Sequence, residues 1–254
     1  GIMVPWNYPI QLALVPLIAA LAAGNRVMIK MSEATPQTST LLQELIADTF
    51  PKDQVAVING EVDVAQAFAS LPFDHLLFTG STSTGRQIMR AAAANLTPVT
   101  LELGGKSPCI IGEDFPMQDA VERIAFGKCL NAGQTCVAPD YILCPENRVQ
   151  EFVNAWKAQI ARSYPSMRNN PDFTAIVNPR QYKRLQGFLE DAREKGAEII
   201  EINPASEDFT HSQKMPHTLV LNVTEDMQIA QDEIFGPLMM VLPYTHLNEA
   251  IHYV

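Results

Sequence analysis

The sequence predicts an α/β protein in two parts, and three observations carry that prediction. Short β-rich runs alternate with helical ones from Val27 to Glu102, the pattern of a parallel sheet with helices on its faces. The pair Gly104-Gly105 follows the last of these runs and marks a boundary, giving parts 1–104 and 105–254. At 254 residues the chain exceeds the usual size of a single core, which favours two lobes sharing a cleft.

The elements follow in order. The chain enters a strand-like segment at its first residues, and the apolar stretch Ile10 to Ala23, closed by Gly24, reads as a buried helix. Val27-Met-Ile-Lys30, Val55-Ala-Val-Ile58, His75-Leu-Leu-Phe-Thr79 and Val99-Thr-Leu-Glu102 read as strands. Between them, Pro36 to Phe50, Val62 to Leu71 and Thr84 to Ala94 read as helices. Thr35 before Pro36 is a start signal, with the hydroxyl as N-cap and proline at the first helical position. Beyond Lys106 come a strand at Cys109-Ile-Ile111, a helix over Met117 to Leu130 and a strand near Tyr141-Ile-Leu143. They are followed by helices over Val149 to Arg162 and Tyr182 to Lys195, a strand at Glu198 to Ile202 and a polar loop from Asn203 to Lys214. In open sheets of this kind ligands sit at the carboxyl ends of the strands, and Lys30, Gly80 and Glu102 fall at such ends.

Composition narrows the function. Charged residues make up 18% of the chain, and the net charge of −10 comes from 28 acids against 18 scattered Lys and Arg. No basic run tracks a phosphate backbone, so nucleic acid is not an expected partner. The stretch from Ile10 to Ala23 is too short to span a bilayer, which takes about 20 apolar residues, and no membrane is expected. Gly1-Ile-Met-Val lacks the basic front of a signal peptide, and with free thiols in view the expected location is cytoplasmic. The four cysteines have no metal-ligand spacing with one another or with the five His, so no metal is expected. The absence of an initiator Met and the abrupt ending in a helix-like run give the appearance of a piece of a longer polypeptide.

Several segments carry chemistry. Cys136, in Gly133-Gln-Thr-Cys136 after a helical run, is either a buried structural thiol or a nucleophile. Its poor helix-forming neighbours favour a turn that presents the sulfur. Glu102 ends Pro98-Val-Thr-Leu-Glu102, where a carboxylate is either a general base or simply solvated. Phe78-Thr-Gly-Ser-Thr-Ser-Thr-Gly85 is a strand, a Gly/Ser/Thr turn and a helix start, an arrangement that aims N–H groups at an anion and that ordinary βα turns also share. Lys30 and Glu33 flank a second strand exit and are either ribose-binding groups or a surface pair. Asn7, in Val4-Pro-Trp-Asn-Tyr-Pro9, can donate to an oxyanion, although taken alone it reads better as a cap for the next helix. In Asp232-Glu-Ile-Phe-Gly-Pro237, Glu233 can bind sugar hydroxyls and Phe235 can wall a flat ring; alone, the hexapeptide is a turn with a core Phe.

These segments occur together, in this order, in one family, and the chain resembles the NAD(P)-dependent aldehyde dehydrogenases from end to end. Pro5-Trp-Asn-Tyr-Pro9, Lys30-Met-Ser-Glu33, Phe78-Thr-Gly-Ser81, Leu101-Glu-Leu-Gly-Gly-Lys-Ser-Pro108, Gly133-Gln-Thr-Cys136 and Glu233-Ile-Phe-Gly-Pro237 match its signatures. Val137-Ala-Pro-Asp-Tyr-Ile-Leu143 is similar to the class 3 branch, and the region from Asn169 to Ala197 to its bacterial coniferyl aldehyde dehydrogenases. Met31 stands where many relatives carry Pro, which should alter only the local turn.

The resemblance implies a Rossmann-like sheet in residues 1–104, forming the later part of a cofactor-binding domain. Residues 105–254 would form an incomplete catalytic domain, with the whole truncated at both ends. It implies that Cys136 attacks the aldehyde, that Asn7 and the Cys136 N–H hold the oxyanion, and that Glu102 activates water against the thioester. NAD or NADP would be held by Trp6, Lys30, Glu33, Gly80, Ser81, Gly85, Leu103, Glu233 and Phe235. Glu33 favours NAD, because a carboxylate repels the extra phosphate of NADP. The implied substrate is an aromatic or hydrophobic aldehyde, and the implied assembly of the parent enzyme is a homodimer. Two other readings stay open: a structural fragment without turnover, and a CoA-acylating enzyme, against which Glu102 speaks.

Overall fold

A computed structural model describes all of residues 1–254. The chain divides into two compact units, Gly1–Gly104 and Gly105–Val254.

The first unit is built on β1 (Ile2–Met3), β2 (Val27–Lys30), β3 (Val55–Ile58), β4 (Leu76–Gly80) and β5 (Val99–Leu103). These strands lie in the order β3-β2-β1-β4-β5 and are all parallel. The helices α1 (Pro9–Ala22), α2 (Pro36–Thr49), α3 (Val62–Ala69) and α4 (Thr82–Ala93) make the crossovers. From β1 the chain winds outward to β3, then returns to the other side of β1 for β4 and β5. The direction of winding therefore reverses between β1 and β4, the place where open parallel sheets bind ligands at the carboxyl ends of their strands.

Alternation along the strands divides the core into two layers. Ile2, Val4, Val27, Ile29, Val55 and Val57 pack with Ala13 and Leu17 of α1 and Leu42 and Ile46 of α2. Met3, Leu76 and Phe78 pack with Phe68 of α3 and with Ile88 and Ala92 of α4 on the other face. Successive side chains of a strand point to opposite faces, which is what feeds the two layers.

Two local expectations are corrected. The helix α1 is not buried: only Ala13 and Leu17 are, while Val15 and Ile18 are 60% and 66% exposed. Positions 13 and 17 lie one turn apart on the stripe facing the sheet, and apolar residues outside that stripe cannot reach it. The helix α2 does begin with Pro36 at its first position, but the Thr35 hydroxyl makes no capping bond. It donates instead to the Ser32 carbonyl, at 3.5 Å.

The second unit contains β6 (Pro108–Ile110), β7 (Tyr141–Pro145), β8 (Glu198–Ile202), β9 (His217–Leu221) and β10 (Leu238–Tyr244). Their order is β6-β7-β10-β9-β8. All neighbours run parallel except β8, which is antiparallel to β9. The helices are α5 (Met117–Cys129), α6 (Val149–Ser163), α7 (Pro179–Glu194), the short α8 (Gln228–Gln231) and α9 (Leu247–Tyr253). One face of the sheet packs against α5 and α6 through Val121, Ile124, Phe152, Trp156 and Ile160. The other packs against α7 through Leu185, Phe188 and Ala192, with Ile229 of α8 and Ala250 of α9 in the same layer. Sequence reading misses β9 and β10. The central strand β10, Leu-Met-Met-Val-Leu-Pro-Tyr, is covered on both faces and shows no polar alternation.

Candidate functional site

In the second unit the site is a turn held from behind. After α5 the chain enters a 3₁₀ turn, Leu130–Gly133, in which three consecutive residues are left-handed: Asn131 at φ 52, Ala132 at φ 53 and Gly133 at φ 72. Only glycine adopts that conformation freely, so two of the three positions carry strain, a frequent mark of functional turns. A Cβ on Gly133 would stand 2.3 Å from the Gly236 carbonyl oxygen. The turn around Cys136 and the Glu233–Pro237 segment therefore meet, backbone against backbone, at these two glycines.

Cys136 follows as the one exposed cysteine of four. Burial raises the Cys109 thiol and pushes the Cys129 and Cys144 thiols up to about 12, which makes those three poor nucleophiles near neutral pH. The Cys136 carbonyl accepts a 3.0 Å bond from the Ser107 hydroxyl. Just before it, the buried Gln134 donates to the Asn131 and Ala175 carbonyls at 3.0 and 3.1 Å and accepts from the Val177 N–H at 3.0 Å. Just after it, the Asp140 N–H donates to the Ser107 carbonyl at 2.9 Å.

The side chain of Asp140 joins this turn to the segment beyond α8. It forms a 2.6 Å ion pair with Lys106 and accepts from the Ile234 N–H at 3.1 Å. Lys106 also donates to the carbonyls of Ile229 and Asp232, at 2.9 and 2.8 Å. Arg184 of α7 reaches the same segment, donating to the carbonyls of Glu233 and Ile234 at 3.0 and 2.6 Å. Its guanidinium lies 5.0 Å from the Phe188 ring centroid. Half-buried Glu233 titrates above the usual carboxylate range because burial disfavours its charge and Asp140 adds repulsion. The Gly105 N–H, Arg184 and Lys106 act in the opposite direction. Phe235 is also left-handed, at φ 50.

Sequence reading names Cys136, Glu233 and Phe235 but not Lys106, Asp140, Arg184, Ser107 and Gln134, which the structure places around them. The available signal was an acid next to an apolar strand, Asp140 before Tyr141-Ile-Leu143. A charge there needs a partner.

In the first unit the expected residues gather at the carboxyl ends of the strands. Trp6 and Asn7 follow β1, both half-buried. The cap position of α1 belongs to Tyr8. Lys30, at the end of β2, is 2% exposed and donates to the Met31 carbonyl at 2.6 Å. Burial lowers its pKa, against the attraction of Glu33, Glu61 and Asp63. Glu33 is exposed and forms no ion pair with Lys30, so the two are not a surface pair.

At the end of β4, a Cβ on Gly80 would meet the Phe78 ring at 2.5 Å, and one on buried Gly85 would meet Leu103 at 2.7 Å. Ser81 caps α4, its hydroxyl accepting from the Thr84 N–H at 3.3 Å and sharing bonds with the Ser83 and Thr84 hydroxyls. Glu102 lies opposite Thr79 on the edge strand β5 and is exposed, so in this unit its carboxylate is not desolvated. Asn7 and Glu102 belong to the first unit; Cys136, Glu233 and Phe235 belong to the second.

These features define a class: an α/β protein that combines a doubly wound parallel sheet with a single exposed thiol on a strained, firmly supported turn. The aldehyde dehydrogenase family model matches residues 1–254, and the chain belongs to that family. It is 60% identical over its whole length to a probable coniferyl aldehyde dehydrogenase of Pseudomonas aeruginosa, covering 52% of that protein. It is 48% identical to a coniferyl aldehyde dehydrogenase of a Pseudomonas species, covering all of this chain and 53% of that one. Among solved structures, a substrate-bound AldH of Staphylococcus aureus matches all of this chain and 55% of its own, with a TM-score of 0.90 at 41% identity. An aldehyde dehydrogenase of Mycobacterium tuberculosis complexed with NAD+ matches 99% of this chain and 53% of its own, with a TM-score of 0.89 at 33% identity. The chain thus spans about half the length of the curated relatives it matches. No helix is long and apolar enough to cross a membrane.

Proposed function

We propose that the protein carrying this chain oxidises an aromatic or hydrophobic aldehyde, of the coniferyl aldehyde type, to its carboxylic acid with NAD or NADP as electron acceptor. The observation that carries this reading is Cys136, the one exposed thiol, on a turn whose backbone is fixed from both sides. A nucleophile held in one orientation loses little entropy on attack.

The residues of the first unit fit a dinucleotide. The winding reverses between β1 and β4, Gly80 and Gly85 let the β4–α4 turn pack closely on Phe78 and Leu103, and α4 starts at the carboxyl end of β4, where first-turn N–H groups favour a phosphate. Gly80, Ser81 and Gly85 would hold the pyrophosphate side, and Lys30 and Glu33 the adenosine ribose. Glu233 would hold the nicotinamide ribose, with Phe235, Leu103 and Trp6 packing nearby. The exposed Glu33 carboxylate favours NAD, since it repels the additional phosphate of NADP. When bound, the nicotinamide supplies the acceptor for the two electrons that the aldehyde loses.

The chain's own groups do the rest. The Cys136 sulfur adds to the carbonyl carbon, and the oxyanion is met by the Cys136 N–H and the Asn7 amide. After oxidation the acyl group remains on sulfur as a thioester. Glu102 takes a proton from water, the water oxygen attacks the thioester carbon, and the acid leaves with the thiolate restored. On the same resemblance the parent protein is a homodimer.

The test is NADH formation by the complete polypeptide carrying these residues. Cys136→Ala is expected to lower kcat about a thousandfold or more. A loss of less than tenfold would remove Cys136 from the reaction and sink this reading.

A further inference from the structure

Behind the Cys136 turn lies a buried charge without a hydrogen-bonded partner. Lys128, in the last turn of α5, is 1% exposed, and its Nζ has no hydrogen-bond partner. Its Cε lies 3.3 Å from where a Cβ on Gly133 would stand, directly against the left-handed residues of the turn. Five buried side-chain polar atoms in the chain lack a partner, and four of them belong to Lys128, Trp156 and His217. Native interiors rarely leave such groups unpaired, so their concentration at one place calls for a reason. His217 sits among the rings of Trp156, Tyr164 and Phe173, with centroids 6.3, 6.1 and 5.6 Å away. It offers the ammonium no counter-charge: burial, and then the charge of Lys128 itself, push its pKa down to about 3. The Pro237 carbonyl acts the other way without reaching hydrogen-bond geometry.

We propose that Lys128 is a positioning residue for the Cys136 turn, its stem packed against Gly133 and its buried ammonium favouring the strained backbone of Asn131–Gly133 through ion–dipole attraction across the low-dielectric interior, at a cost to the stability of the fold. The inference rests on the proposed role of Cys136. Lys128 lies in the last turn of α5, the end of a helix where positive charge is favoured. In a low-dielectric interior that attraction is strong enough to hold a backbone that three left-handed residues would otherwise let relax. The same burial makes the unpaired charge expensive, and a methionine of similar length would be tolerated better.

The charge also gives the device a pH range. Burial brings the Lys128 pKa down to about 8; Asp140, Cys129 and Glu233 draw it up, and Lys106 draws it down. Below about 8 the ammonium is present and supports the turn; above it the charge is lost. Stability runs the other way. Between about 8 and the ordinary lysine value of 10.5 the unfolded chain binds the proton that the folded chain has released, so the stability contribution of Lys128 rises with pH.

The experiment compares wild type, Lys128→Met, Lys128→Gln and Cys136→Ala in the complete polypeptide. Lys128→Met is expected to melt about 4 °C higher at pH 7 while kcat falls about tenfold with the aldehyde KM within a factor of two. Alkylation of Cys136 by iodoacetamide, read by mass spectrometry, should slow in parallel. Both the kcat gap and the melting gap between wild type and Lys128→Met should close as pH passes above 8. Lys128→Gln, with donors but no charge, should follow Lys128→Met in activity and serves if the methionine variant does not fold. Wild-type kcat, alkylation rate and pH profile in either variant would overturn the proposal, as would a lower melting temperature in Lys128→Met. The Cys136→Ala arm separates the two readings: if it retains turnover, the role of Cys136 fails, whatever Lys128 does.

Discussion

The turn after β4 and the turn after α5 are both expected to carry function, yet they are held in opposite ways. From Gly80 to Gly85 the support is local and exposed, with the Ser81 hydroxyl bonded to groups two and three residues away. From Asn131 to Asp140 the support is distant in sequence: Ser107 holds the Cys136 carbonyl, Gln134 is tied to Ala175 and Val177, and Asp140 to Lys106 and Ile234. A cradle for an anion needs only N–H groups and little bulk, which a short stretch of Gly, Ser and Thr supplies. A nucleophile has to be aimed, and aiming takes contacts from several elements.

Substitutions should expose this difference, most strongly at Gly133. Gly133→Ala adds a Cβ 2.3 Å from a backbone oxygen at a left-handed φ of 72. A loss of about 3 kcal/mol or more is expected in urea denaturation, since neither strain can relax through a side chain. Next comes Asp140→Asn, which keeps the volume but removes the counter-charge of Lys106. About 2 kcal/mol should be lost by the same measurement, less than for a fully buried pair because Lys106 is partly exposed. The smallest effect belongs to the other turn: Ser81→Ala removes only an N-cap bond and should cost about 1 kcal/mol. If Ser81→Ala proved as damaging as Asp140→Asn, the contrast between local and distant support would be wrong.

The same contrast explains what could be read from the sequence. The strands β2, β3 and β5 were legible as short β-rich runs set between helical stretches. The run Gly80 to Gly85 was legible because its chemistry is local. The strand β10 was hidden by being apolar on both faces, and β9 by its position after a long polar loop. The exposure of α1 was hidden because composition counts apolar residues without saying which of them a helix can turn toward the sheet. Cys136, Glu233 and Phe235 could be picked out by type and context, but not Lys106, Asp140 and Arg184. Their partners lie far along the chain, as with Arg184 and Glu233, and only folding makes the pairing visible.

The two glycines that meet behind Cys136 also set different rules for how this protein can vary. The space at Gly133 is limited by the carbonyl of Gly236, a backbone atom, so no exchange of a neighbouring side chain can make room there. The space at Gly236 is limited by the Leu185 side chain, 2.6 Å from where a Cβ would stand, and a smaller residue at 185 would open it. Position 133 is therefore held by backbone alone, whereas any side chain at position 236 would first require a smaller residue at position 185.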